Sequence, residues 1–261
     1  MNRKLININI NDYPEKFRSL LKDADIYDSS CSENARVIFI DKDNGYFLKS
    51  SFKDSMKKEA EMTKFFSLRK LSSSLVDYIS EDKDWLLTKR IKGEDCTYSK
   101  YLENPEKLCD IYADTLRMLH SLDYTDCPVL DRNIGYIETA FENYRKGIFD
   151  PSYLIDEVKD FDAEKAIKYI DSNKHLLKND TLIHGDYCLP NVILDDFKFS
   201  GFIDLGNSGV GDKHIDIFWA IWTLEFNLKT NKYRDIFINA YGREDIDLDI
   251  LKLISVIETF G

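Results

Sequence analysis

No run of about 18 consecutive apolar residues occurs in the 261-residue chain, so no membrane-spanning helix is expected. The opening stretch, MNRKLININI, lacks the small-residue cleavage site of a secretory signal, which predicts a cytoplasmic protein. The five cysteines (Cys31, Cys96, Cys109, Cys127, Cys188) are odd in number, scattered and free of any CxxC pair. With only four histidines beside them, they suggest neither a disulfide framework nor a structural zinc site. Five prolines and eleven glycines leave no long linker, and neither an internal repeat nor a low-complexity segment is present. Positive charge is also in deficit: 36 Lys and Arg face 47 Asp and Glu, a net charge of −11. That balance argues against a nucleic-acid-binding role, which needs a basic patch for phosphates. The excess acid is either a solvated surface or an acidic cleft for a cationic substrate.

What is present is an apolar fraction of 43%, ample for one large domain or two small lobes. NARVIFID and GYFLKSSF read as strands joined by a hairpin signal at Asn44-Gly45. DSMKKEAEMTKFFSLRKL follows with helical spacing, with Asp54 or Ser55 as its cap. LVDYIS and WLLTKRI are two further strands. From Gly93 the pattern turns helical: PEKLCDIYADTLRMLHSL places Leu108, Ile111, Tyr112, Thr115, Leu116 and Leu119 on one face. GYIETAFENYRKGI and AEKAIKYIDSNKHLL are helices too, and three more begin near Asp212, Lys232 and Asp247. The expected architecture is a small sheet-rich lobe, residues 1–91, followed by a larger helical lobe, 92–261. A monomer is expected.

The span LIHGDYCLPNVILDDFKFSGFIDLGNSG, residues 182–209, gathers His184, Gly185, Asp186, Asn191 and Asp204 between apolar runs. Leu182 and Ile183 end one short strand and Val192 begins the next. The loop between them is stiffened by Pro190, while Gly185 allows close backbone approach. FSGFIDLG then delivers Asp204 at a strand end, and oxygen ligands placed so suit a hard cation. An isolated Asp or Asn at a turn serves local hydrogen bonds. An Asp, an Asn five residues later and a second Asp followed by x-Gly is the ordered set protein kinases use for phosphoryl transfer. Here H-G-D-Y-C-L-P-N stands for H-R-D-L-x-x-x-N, and D-L-G for D-F-G.

HGDYCLPN at 184–191 and GFIDLGNSGVGDKHIDI at 201–217 resemble the aminoglycoside phosphotransferase family, most closely its 3′-phosphotransferases. The resemblance runs from the YFLK strand to the final ETF. It implies an α+β, bilobal protein-kinase-like fold: a small antiparallel-sheet N-terminal lobe with one helix, then a larger, mainly helical lobe. It implies ATP as donor, with GTP as an alternative, and Mg²⁺ held by Asn191 and Asp204. Asp186 would orient the acceptor hydroxyl and take its proton. Lys49 would hold the α- and β-phosphates, paired with Glu59, or with Glu61 as the other candidate. Ser32, in the glycine-free loop SSCSENAR, would cover the phosphates. The backbone of Lys89 and Ile91 would hydrogen-bond adenine, and Phe47 would stack on it. His184 braces the catalytic loop in this scheme, and Asp216 supports that loop.

A polycationic acceptor calls for carboxylates, and the candidates are Asp156, Glu157, Asp160, Glu258 and the C-terminal carboxylate of Gly261. Asn207 departs from the arginine that many relatives carry after D-L-G. Ile257 stands where many have an aspartate, and Phe226 and Asn227 where some have acids. Two other readings stay open: a kinase of another small alcohol (choline, homoserine or a ketosamine), and a nucleotide-binding pseudokinase. Against the second, Lys49, Asp186, Asn191 and Asp204 are all present.

Overall fold

The computed structural model describes residues 4–31 and 35–261. The chain divides into two compact units, one of Met1–Glu94, Ile193–Asp195 and Ser200–Gly206, the other of Asp95–Val192, Asp196–Phe199 and Asn207–Gly261. The single boundary at residue 91 is therefore too simple. The chain returns to the first unit late in the sequence, and Asp204, expected in the helical lobe, groups with the sheet instead.

The first unit contains β1 (Lys4–Leu5), α1 (Glu15–Leu21), β2 (Asp25–Asp28), β3 (Arg36–Asp41), β4 (Tyr46–Phe52), α2 (Lys57–Leu68), β5 (Leu75–Ser80) and β6 (Lys83–Lys89). The strands form one antiparallel sheet in the order β1-β2-β3-β4-β6-β5. β3 and β4 are joined through Asn44-Gly45, with Gly45 at φ +91°, a conformation that only glycine adopts freely. Strand alternation sorts the apolar residues by face. Ile38, Ile40, Leu48 and Leu87 pack with Phe17 and Leu21 of α1, whereas Leu86 packs with Met56 and Ala60 near and in α2. The two helices thus cover opposite faces. Only one helix was expected here; α1 has seven residues, too few for a helical period to stand out.

The start of α2 corrects a second expectation. Neither Asp54 nor Ser55 caps it; the N-cap residue is Met56, with no side-chain bond of its own. Asp84 of β6, fully buried, instead accepts from the backbone N–H of Asp54 at 2.9 Å and of Met56 at 2.8 Å, and from the Tyr78 hydroxyl at 2.9 Å. A carboxylate from a strand does the capping, which local sequence cannot reveal. Asp84→Ala orphans all three donors and should lower stability by about 2–3 kcal/mol, read as a lower urea midpoint at unchanged m-value.

The division between the units falls within β7 (Glu94–Asp95). The second unit then holds α3 (Ser99–Leu102), α4 (Pro105–His120), α5 (Arg132–Arg145), α6 (Ala163–Asn173) and β8 (Thr181–Ile183). After β9 (Val192–Asp195) and β10 (Lys198–Phe202) come β11 (Gly209–Gly211), α7 (His214–Leu228), α8 (Arg234–Tyr241) and α9 (Leu248–Glu258). β8 and β11 pair antiparallel. α4 buries Leu108, Tyr112, Thr115, Leu116 and Leu119, the face its spacing predicts. All five cysteines are free thiols: Cys31 is exposed, Cys188 is half-buried, and Cys96, Cys109 and Cys127 are buried. Among the described residues no helix is long and apolar enough to cross a membrane.

Candidate active site

In the first unit, alternation along β4 turns Lys49 away from Leu48 and toward the α2 face. Its ammonium donates to both Glu59 oxygens at 2.9 Å and to Asp204 Oδ1 at 3.0 Å. Glu59 lies in the first turn of α2 and is buried, whereas Glu61 is exposed, so helix geometry selects Glu59 as the partner. Burial by itself would lower the Lys49 pKa; the Glu59 and Asp204 carboxylates outweigh it and raise the pKa above the usual lysine range. Asp204 is held by β10, where Phe202 N–H donates to Leu71 O at 2.7 Å. Its backbone is left-handed, φ +58°, a strained setting for a non-glycine residue, of a kind that clusters at functional sites.

Phe47 shares the Lys49 face, half-buried, with its ring 5.2 Å from that of Phe39. The Lys89 N–H is given to Ser74 O at 3.1 Å, so any contact of Lys89 with a base falls to its carbonyl. The Ile91 N–H has no hydrogen-bond partner among the described residues. Ser32 lies outside the described residues.

In the second unit the loop after β8 is held from three directions. Asp216, fully buried at the start of α7, accepts from His184 N–H and Gly185 N–H, each at 2.7 Å, and meets His120 Nε2 at 3.2 Å. Tyr112 and Tyr187 stack with centroids 4.5 Å apart, and each hydroxyl donates to the other's carbonyl, at 2.6 and 2.8 Å. His184 Nδ1 accepts the Asp186 N–H at 3.3 Å, a bracing contact within the loop. Gly185 is at φ +80°, and a Cβ there would sit 2.0 Å from Asn207 O, so no other residue fits. On this frame the Asn191 side-chain amide donates to Asp186 Oδ2 and to Asp186 O, both at 3.0 Å. The amide is thereby oriented, with Oδ1 left as its accepting atom.

Asn191 Oδ1 and the half-exposed Asp204 carboxylate are hard oxygen donors. Among the described residues no cluster of three or more His, Cys, Asp or Glu side chains forms a metal cage. Asn191 Oδ1 and the Asp204 carboxylate are each the kind of oxygen ligand that Mg²⁺ accepts, a cation that binds through one or two protein oxygens together with substrate phosphates.

The expected acceptor residues separate in the structure. Asp156, Glu157, Asp160 and Gly261 are exposed. Glu258 is only 4% exposed, and its Oε1 accepts from the Tyr136 hydroxyl at 2.7 Å and Trp219 Nε1 at 2.8 Å. Burial pushes its pKa up to about 7, partly offset by those two hydrogen bonds, with the Asp186 charge adding to the rise. Between the ordinary carboxylate pKa and about 7, native Glu258 binds a proton that the unfolded chain has lost. Stability should therefore fall as pH rises through that window, by up to about 1.4 kcal/mol per pH unit. Glu258→Gln should flatten the fall; an unchanged pH–stability curve in thermal melts would dismiss the assignment.

Several neighbours carry no signal in the sequence. Trp219 stands 5.7 Å from Tyr153 and 5.4 Å from Trp222, and Trp222 stacks on Phe226 at 5.0 Å. This aromatic wall includes Phe226. Arg132 of α5 donates from Nε to Asn207 O at 2.8 Å and from Nη2 to Asn207 Oδ1 at 3.0 Å. A guanidinium from a distant helix thus reaches the residue that follows D-L-G.

A model of the phosphotransferase enzyme family (APH) matches residues 28–253. The chain is 48% identical over 264 residues to a probable aminoglycoside 3′-phosphotransferase of Lactococcus lactis subsp. lactis (strain IL1403), covering 100% of this chain and 99% of that protein. It is 30% identical to the aminoglycoside 3′-phosphotransferase of Niallia circulans, over 68% of this chain and 67% of that one. In fold it is similar to the crystal structure of aminoglycoside-3′-phosphotransferase of type VIII, with a TM-score of 0.79 at 21% identity, covering 97% and 99% of the two chains. It is also similar to aminoglycoside phosphotransferase APH(3″)-Id from Streptomyces rimosus ATCC10970 in complex with ADP and streptomycin, with a TM-score of 0.69 at 20% identity, covering 86% and 90%. With its α+β, kinase-like fold and these matches along nearly its whole length, the chain belongs to the aminoglycoside phosphotransferase family of phosphotransferase enzymes.

Proposed function

We propose that the protein transfers the γ-phosphoryl group of ATP, with Mg²⁺, to the 3′-hydroxyl of an aminoglycoside, which inactivates the drug. The observation that carries this reading is Lys49 held by Glu59 at 2.9 Å with Asp204 at 3.0 Å, the lysine–acid arrangement that phosphoryl transfer uses to grip a nucleotide. Mg²⁺, when bound, supplies charge neutralisation of the phosphates, with Asn191 and Asp204 as its protein ligands. Lys49 holds the α- and β-phosphates, the Lys89 carbonyl and Ile91 N–H take the adenine edge, and Phe47 lies on its face. Ser32 belongs to the loop over the phosphates.

Asn191 fixes one oxygen of Asp186, which sets the direction of the carboxylate toward the acceptor. The acceptor oxygen bonds to the γ-phosphorus as the bond to the β–γ bridging oxygen breaks. The hydroxyl proton passes to Asp186, and no phospho-enzyme forms. The work is positioning and electrostatics rather than covalent catalysis.

Asp156, Glu157, Asp160, Glu258 and the carboxylate of Gly261 make up the cationic acceptor's surroundings in this reading, with the aromatic wall at Tyr153, Trp219 and Trp222 beside them. A cytoplasmic monomer is part of this reading. The deciding experiment is ATP consumption with kanamycin, choline, homoserine and a fructosamine, with the phosphorylated position found by NMR. Turnover of a small alcohol and none of the drug would overturn the reading. Attraction of a polycation weakens with salt, because the Debye length falls to about 3 Å at 1 M. KM for kanamycin should rise severalfold with ionic strength, and KM for Mg-ATP less steeply. A drug KM flat in salt would remove the acidic acceptor site.

A further inference from the structure

A cavity of about 530 Å³ opens in the first unit on the sheet face turned away from Lys49. Leu48 and Ser50 line it, and Lys49, between them on β4, points to the other face. The sheet register builds its floor: Arg36, Ser50 and Trp85 stand opposite one another across β3, β4 and β6, with Ile38 opposite Leu48 in the next row. Such a volume is in the range of small-molecule sites, and an apolar floor with a few polar groups is their usual chemistry.

The charge at the rim is the informative part. Arg36 and Lys83 both border the cavity; the Arg36 charge acts on the Asp28 carboxylate of β2, whereas Lys83 makes no ion pair among the described residues. The acid there, Asp12, accepts from Asn9 Nδ2 at 3.2 Å. In a chain of net charge −11, two basic side chains against the single lining acid, Asp12, give this cavity a local balance that favours an anion. Tyr13, also on its border, has a buried hydroxyl with no hydrogen-bond partner among the described residues, an uncommon condition for a buried polar group. Its ring lies 5.3 Å from Trp85, so the cavity carries an aromatic surface beside its cations.

We propose that this cavity is a second ligand site, distinct from the nucleotide and acceptor positions, that takes a small aromatic anion of the carboxylate or sulfonate type. The head group meets Arg36 and Lys83, and the ring lies against Trp85, Ile38 and Leu48. Nothing in this assignment depends on which alcohol the enzyme phosphorylates.

The test is calorimetric titration of the full chain with 1-naphthoate under saturating Mg-ADP, with uncharged 1-naphthamide as control. One naphthoate per chain is expected, with naphthamide about tenfold weaker or worse. The double variant Arg36→Gln, Lys83→Gln, on exposed side chains, should weaken naphthoate by about tenfold and leave ADP affinity unchanged. Ser50→Trp, which fills the cavity, should abolish binding, with circular dichroism showing the variant folded. The proposal fails if naphthoate does not bind the wild-type chain up to about 5 mM. It fails equally if ADP displaces naphthoate, if the amide binds as well as the acid, or if the double variant binds like wild type.

Discussion

Asp186→Asn should lower kcat by about 10²-fold or more while leaving the affinity for Mg-ATP within about twofold. The substitution keeps the shape of the side chain and an oxygen for the Asn191 amide, which donates to Asp186 Oδ2 at 3.0 Å in the native loop. The braces of the loop, Asp216 on two backbone N–H groups and the Tyr112–Tyr187 stack, do not involve the Asp186 carboxylate. The loop should therefore stay in place, and what is lost is the group proposed to orient the acceptor hydroxyl and receive its proton. Steady-state turnover with kanamycin beside calorimetric titration of Mg-ATP separates the two effects. A variant with near-native kcat would take Asp186 out of the reaction.

Asp204→Asn should also cost about 10²-fold in kcat, but by a different route. Removing the charge weakens the proposed Mg²⁺ ligand, so the Mg²⁺ concentration for half-maximal rate should rise, with partial rescue at high Mg²⁺. The same change removes one of the two carboxylates on Lys49, at 3.0 Å, and leaves Glu59 as its counter-charge. The lysine pKa, raised in part by Asp204, should drop toward its ordinary value. Rate against Mg²⁺ concentration is the measurement. An unshifted Mg²⁺ dependence with unchanged Mg-ATP affinity would mean that Asp204 holds no metal.

Much of this arrangement was legible in the chain because its signals are local. The Asp186–Asn191 interval, the strand leading to Asp204 and the Asn44-Gly45 hairpin each lie within a few residues, where spacing maps directly onto geometry. The long helices were legible for the same reason, α4 above all, with its apolar face repeating over 16 residues. What escaped the reading is non-local or short. Asp84 caps α2 from a strand, Arg132 reaches Asn207 from α5, and Trp219 and Tyr136 cover Glu258; each contact is closed by tertiary packing between residues far apart in the chain. Helix α1 is two turns long and is defined chiefly by Phe17 and Leu21 against the sheet. The boundary at residue 91 missed the return of the chain because 193–195 and 200–206 join the sheet unit by contact, not by sequence order.

The distribution of the thiols makes the native chain a ready single-site labelling substrate. Cys31 is exposed, whereas Cys96, Cys109 and Cys127 are buried and Cys188 is half-buried. Burial also keeps the inner thiols protonated: it pushes Cys109 up to about 12 and raises Cys96 and Cys188 as well. Only the thiolate attacks a maleimide, so a short incubation at neutral pH should place one fluorophore on the folded protein without mutagenesis. Cys31 is next in the chain to Ser32, which is proposed to cover the phosphates, so a change in emission on adding Mg-ATP would support that proposal.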